Sequence, residues 1–187
     1  MRKFKISVLL KLGFYCLFLS IGLEMQARKF VHPGILHTTK SIERMRAQIA
    51  DKEYPAYGSF ELLKSHHCSQ ADYQPFGPFE IISRDGEFRH TKSKMEQDFS
   101  AVYQNALMWV LTGEKTHAEK SLELLLGYAG TLKRIPETND APLLVGLEGL
   151  KIIYATEILR HTYKKMTVVQ FNEIRSEERR VGKECRS

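Results

Sequence analysis

The chain is poor in cysteine, with only Cys16, Cys68 and Cys185 in 187 residues. Two of these lie near the ends, so the body between them holds Cys68 alone and an internal disulfide framework is excluded. Long apolar runs are also missing. The longest follows Lys11 and covers about a dozen residues, short of the ~20 a spanning helix needs. No internal repeat or low-complexity stretch is present. Net charge is less than it first looks, because the formal +6 comes from 28 basic and 22 acidic residues that are unevenly placed. The first 27 residues and the last 13 together hold nine of the basic and four of the acidic residues, which leaves 19 against 18. A body of that balance lacks the electrostatic footprint of a phosphate-backbone binder, and no nucleic-acid partner is expected.

What is present begins with a leader. Met1 to Lys5 is basic, Ile6 to Leu23 is largely apolar, and Met25-Gln26-Ala27 places a small residue before a cut. This is the pattern of a secretory signal peptide, with cleavage expected after Ala27 and no stable membrane insertion afterwards. Phe14-Tyr15 before Cys16 do not suit lipidation. An exported body with one cysteine fits a periplasmic or secreted location. At the other end, residues 175–187 have no apolar period, cap or face to bury. Arg175 to Cys185 resembles the in-frame translation of a short-read sequencing adapter. The natural chain is therefore expected to continue differently past Ile174.

Between Arg28 and Ile174 the apolar period is helical throughout. Ile42, Met45 and Ile49 define a first helix with Thr38 or Thr39 as N-cap, and Pro55 opens a second that carries Tyr57, Phe60 and Leu63. Both are expected to be amphipathic and half buried. Ser69 to Ser93 breaks the period at Pro75, Gly77, Pro78 and Gly86, yet it carries Tyr73, Phe76, Phe79 and Phe88. It reads as a long ordered aromatic loop with a short strand at Glu80 to Ser83. A third helix spans Lys94 to Thr112 and ends at Gly113, and a fourth spans Lys115 to Arg134. Their short junction makes them an antiparallel hairpin. A fifth helix opens near Pro142, with Leu143, Leu147, Leu150, Tyr154 and Ile158 on one stripe. The fold class expected is all-α, built of antiparallel helical hairpins with one long aromatic loop.

Candidate chemistry is sparse. His66-His67-Cys68 is the only dense set of metal-ligand types, with no matching pair at ligand spacing elsewhere, so spacing assigns no metal and no cofactor. His32 and His37 flank Pro33-Gly34 and read as turn and cap residues. Glu148 and Glu157 are nine residues apart on one helix and cannot flank a single bond; they read as solvated or interhelical charges. Trp109 reads as core. Gln104 and Asn105 are amides in an apolar helix that need partners, from nearby backbone or from a bound polar ligand. Tyr73, Arg84, Arg89 and His90 combine a stacking surface with cationic donors suited to a carboxylated sugar.

Phe30-Val31-His32-Pro33-Gly34-Ile35-Leu36-His37, Ile42-Glu43-Arg44-Met45-Arg46 and Ala101 to Glu114 together resemble the start of the alginate lyase domain family. Leu143 to Tyr163, with Gly146, Gly149, Ala155-Thr156-Glu157-Ile158 and Arg160, continues the likeness, which covers nearly all of Phe30 to Ile174. The Val-His-Pro-Gly opening and the Thr-Gly-Glu junction are distinctive, whereas the helices alone would match many toroids. The resemblance implies a partial (α/α) toroid around a cleft for an acidic polysaccharide, cleaved by β-elimination next to a uronate. The family's Asn/His motif and later Tyr/Arg residues match nothing before Ile174, so no catalytic residue is carried over and the chain by itself is expected to be inactive. By position in the family, the loop residues Tyr73, Arg84, Arg89 and His90 are the expected substrate contacts, joined by Gln104 and Asn105. Two rivals remain: a glycoside hydrolase on a similar toroid, which needs two carboxylates across the scissile bond, and a non-catalytic helical carbohydrate-binding module, which would show a repeat period.

Overall fold

The computed structural model describes residues 30–175; the leader, and the charged tail apart from Arg175, lie outside the described residues. The compact unit that carries the helices starts at Val31. It is all-α. Its helices are α1 (Thr39–Ala50), α2 (Ala56–Ser65), α3 (Lys92–Thr112), α4 (Lys115–Thr131) and α5 (Ala141–Thr162), with single 3-10 turns at His67–Ser69 and Arg89–Thr91. The backbone is helical again over 168–175. Among the described residues no helix is long and apolar enough to cross a membrane.

Local chemistry accounts for most of the boundaries. Thr38 caps α1, its Oγ1 accepting from the Ser41 amide at 3.1 Å, which satisfies one of the amides left open in a first turn. Pro55 is the N-cap of α2, and Pro142 lies in the first turn of α5, where a missing N–H costs nothing. Gly113 ends α3 in the left-handed region at φ 80°, and its amide closes on the Trp109 carbonyl at 2.8 Å. One boundary differs from expectation. Helix α4 stops at Thr131 instead of Arg134, because the Lys133 and Arg134 amides donate to the Glu80 carbonyl at 2.8 and 3.2 Å. The strand expected over Glu80 to Ser83 is correspondingly reduced to one isolated parallel bridge between Ile81 and Arg134.

Helix α3 is the hub. Its buried residues include Ala101, Val102, Ala106, Met108 and Val110, and α4 and α5 both pack against it far more extensively than against each other. Helix α1 likewise meets both α2 and α3. Helices α1 and α2 are half buried as expected: Ile42 is buried with Met45 and Ile49 partly so, and Tyr57, Phe60 and Leu63 are partly buried while Leu62 is 74% exposed. Glu148, expected to be a solvated or interhelical charge, is instead buried; it pairs with Lys151 at 2.7 Å, and that ammonium also reaches Ser100 Oγ on α3 at 3.0 Å.

The residues between the two 3-10 turns are tied to α3 chiefly through one buried side chain, beside the Arg84–Glu96 ion pair. Asp98, fully buried, accepts from Tyr73 OH at 2.8 Å, Tyr128 OH at 2.7 Å, the Phe76 amide at 3.0 Å and the Gly77 amide at 2.9 Å. All four partners are donors, so a carboxylate suits the position and an amide does not. Asp98→Asn turns an NH2 group toward two donors and is expected to destabilise the fold by about 2–4 kcal/mol. Tyr128→Phe, which removes one donor, should cost about 1–2 kcal/mol. Urea unfolding of the full chain checks both, and an Asp98→Asn midpoint equal to wild type would contradict the assignment.

Candidate functional site

The amino-terminal segment before α1 lies across two helices. His32 Nδ1 meets Glu157 Oε1 of α5 at 2.6 Å, and the Gly34 amide donates to the same oxygen at 3.2 Å. Five residues on, His37 Nε2 meets Tyr103 OH of α3 at 2.6 Å. Tyr103 in turn stands near Tyr154 of α5, ring centroids 5.9 Å apart. His161, one helical turn beyond Glu157, stacks on His32 with centroids 4.2 Å apart and planes 9° from parallel. Two histidine-centred groups therefore occupy one face of α3 and α5.

Burial sets the electrostatics of this face. It lowers the pKa of His37, keeping the imidazole neutral near pH 7, and raises Tyr103 to about 12, with Tyr154 adding to the effect. The 2.6 Å contact is a hydrogen bond, and with His37 lowered and Tyr103 raised the proton stays on the phenol near pH 7. Burial also lowers His161, against an opposing pull from Glu157. Further along the same helices a cavity of about 240 Å³ is lined by Ile42, Arg46, Trp109, Val110 and Thr162. Trp109 is half-buried there, donating from Nε1 to Thr162 Oγ1 at 2.9 Å.

The residues singled out from sequence are placed elsewhere. Tyr73 is buried with its hydroxyl committed to Asp98; burial first, and then the Asp98 carboxylate, pushes its pKa up. Arg84 is paired with Glu96 at 2.6 Å. Arg89 and His90 are exposed on the 3-10 turn before α3. Asn105 is buried, and its needs are met within the fold: Nδ2 donates to the Cys68 carbonyl at 2.9 Å and to Ala101 at 3.1 Å, while Oδ1 pairs with His117 Nδ1 at 2.8 Å. Gln104 is half-buried with Oε1 lacking a hydrogen-bond partner. Tyr73, Arg84, Arg89 and His90 precede α3, and Gln104 and Asn105 lie on it. Two sets of residues can bring metal-ligand atoms together among the described residues: His66, His67 and Cys68, and His32, Glu157 and His161. The second set and the His37–Tyr103 pair were missed by sequence reading. The only local signal was the four-residue step from Glu157 to His161.

The chain matches no protein family, no curated protein and no solved structure among those compared with it. The geometry of the site therefore carries its own reading.

His37 and His117 share a direction that is open to test. Both pKa values are lowered from 6.5 by burial, so the unfolded chain binds these protons more readily. Stability is then complete above about pH 6.5 and falls as pH drops below it. Unfolding midpoints at pH 7.5 and 5.5 should differ in that sense, and imidazole resonances of both residues should titrate below 6.5. Equal midpoints, or a His117 that titrates at its ordinary value, would contradict the burial argument.

Proposed function

We propose that this chain forms the amino-terminal hairpins of an exported polysaccharide lyase that cleaves a uronate-containing, alginate-like glycan by β-elimination. The observation that carries the proposal is the packing order. Helix α1 meets α2 and α3, and α3 meets α4 and α5, while α4 also touches α5, so each odd-numbered helix neighbours the next odd-numbered one. That order supports a partial (α/α) toroid with the odd helices facing the cleft. Helix α5 continues it, with Leu143, Leu147, Leu150 and Ile153 exposed as an apolar strip suited to the next hairpin. Export rests on the leader pattern, and the substrate class rests on the resemblance in sequence.

In this reading a donor set neutralises the uronate carboxylate, a base takes the C5 proton, and the bond to the 4-oxygen breaks to leave an unsaturated sugar. In this reading the His37–Tyr103 hydrogen bond ties the amino-terminal segment to the wall of the cleft. Arg89, His90 and Gln104 remain available for substrate contact, whereas Tyr73 and Asn105 would act by holding that wall in place. The catalytic Asn, His, Tyr and Arg of such a lyase belong on hairpins beyond Ile174.

The test is to recover the gene from source DNA across the codon for Ile174 and to assay its product on polyuronates. The extended protein is expected to generate the ultraviolet absorbance of an unsaturated uronate, and the 187-residue chain none. New reducing ends without that absorbance would make the protein a hydrolase. Binding without cleavage would make it a carbohydrate-binding module. Either result overturns the lyase reading.

A further inference from the structure

We propose that His32, Glu157 and His161 form a binding site for a divalent transition-metal ion of the zinc type, which clamps the amino-terminal segment to α5. Glu157 and His161 are four residues apart on α5, so both side chains leave the helix on the same face. His32 arrives from 125 residues away in sequence. The three ligand atoms lie within 4.8 Å of one another.

The spacing is close to what a metal needs. Two ligands at about 2.1 Å from a tetrahedral ion are roughly 3.4 Å apart, and His161 Nε2 stands 3.5 Å from Glu157 Oε2. The 2.6 Å contact between His32 Nδ1 and Glu157 Oε1 is held by a shared proton; exchanging that proton for an ion requires an opening of just under ~1 Å. Turning the two imidazoles out of their parallel stack aims both nitrogens at one point. Their side chains are 45% and 24% exposed, which leaves His32 the more open of the two. The Gly34 amide on Glu157 Oε1 fixes the carboxylate as an outer-shell partner does in metal sites.

Ligand chemistry selects the ion. Two imidazoles and one carboxylate suit zinc and its transition-metal neighbours, whereas calcium and magnesium prefer oxygen throughout. Three protein ligands on an exposed face leave a fourth position for water. The other cluster is less suited. His66 Nδ1 accepts from the Cys68 amide at 3.2 Å, and His67 Nε2 is shared between Gln97 Oε1 at 3.0 Å and Cys68 Sγ at 3.2 Å. The proposal is independent of any glycan chemistry.

The experiment is titration of the full chain with zinc, followed by calorimetry, and with cobalt, followed by its visible spectrum. One ion per chain should bind at micromolar or tighter affinity. Cobalt should show ligand-field bands without a thiolate charge-transfer band, since Cys68 is not a ligand. His32→Ala and His161→Ala should each weaken binding by at least about tenfold, and His67→Ala should leave it unchanged. In the unmutated chain, zinc should perturb the imidazole resonances of His32 and His161 and leave those of His66 and His67 in place; this readout stands even if a variant fails to fold. Absence of saturable binding, a thiolate band, or zinc shifts confined to His66 and His67 would each overturn the site.

Discussion

Asp98 brings a carboxylate into the interior of α3 with no exposed surface, and four hydrogen bonds replace the water it has lost. Removing a charge from water costs several kcal/mol, a cost that only a full set of well-placed donors offsets. The donors come from two parts of the chain. Tyr73 and the Phe76 and Gly77 amides belong to the connection before α3, while Tyr128 belongs to α4. One side chain thus fixes how that connection lies on the α3–α4 hairpin. Gly77 is needed at the contact because a Cβ there would stand 2.5 Å from Tyr128 OH. The carboxylate also accounts, after burial itself, for the raised pKa of both tyrosines.

A second polar network continues along α3. Asn105 joins the Cys68 carbonyl to His117, and Ser121 Oγ donates to the Val102 carbonyl at 2.7 Å. These bonds tie the first 3-10 turn, α3 and α4 into one assembly, and buried polar groups satisfied in this way give a core a single arrangement. With α3 held from both ends, its other face is available to present Tyr103 and Trp109. An amide such as Asn105 is then a structural element, and its chemistry is fully used before any ligand arrives.

The amino-terminal segment draws the remaining groups together. It reaches α5 through His32 and Gly34 and α3 through His37, and its continuation, α1, places Arg46 Nε against the Val110 carbonyl. A stretch of few residues thus spans the seam between two helices and supplies His32 and His37 to the candidate site. Its anchors are hydrogen bonds at a partly exposed surface. A hydrogen-bonded His–Tyr pair and a His–Glu–His cluster both lie on this seam.

How much of this was legible in the sequence follows from the range of the interactions. The helices were readable because their determinants are local: a 3.6-residue apolar period, a hydroxyl at Thr38, a glycine able to take φ 80° at position 113, and a proline in the first turn of α5. The end of α4 was not, since it is decided by Glu80, some fifty residues earlier in the chain. Nor was the role of Tyr73, which suggested ligand contact but is spent on Asp98, whereas for Asn105 the backbone partner left open by the sequence is the one found, with His117 added. Nothing in the sequence connected His32 with Glu157, 125 residues apart. Secondary structure is determined by neighbours a few residues away and could be read in order. Which polar groups are spent inside the fold and which are left to act is determined by distant partners, and only the tertiary structure brings those partners into contact.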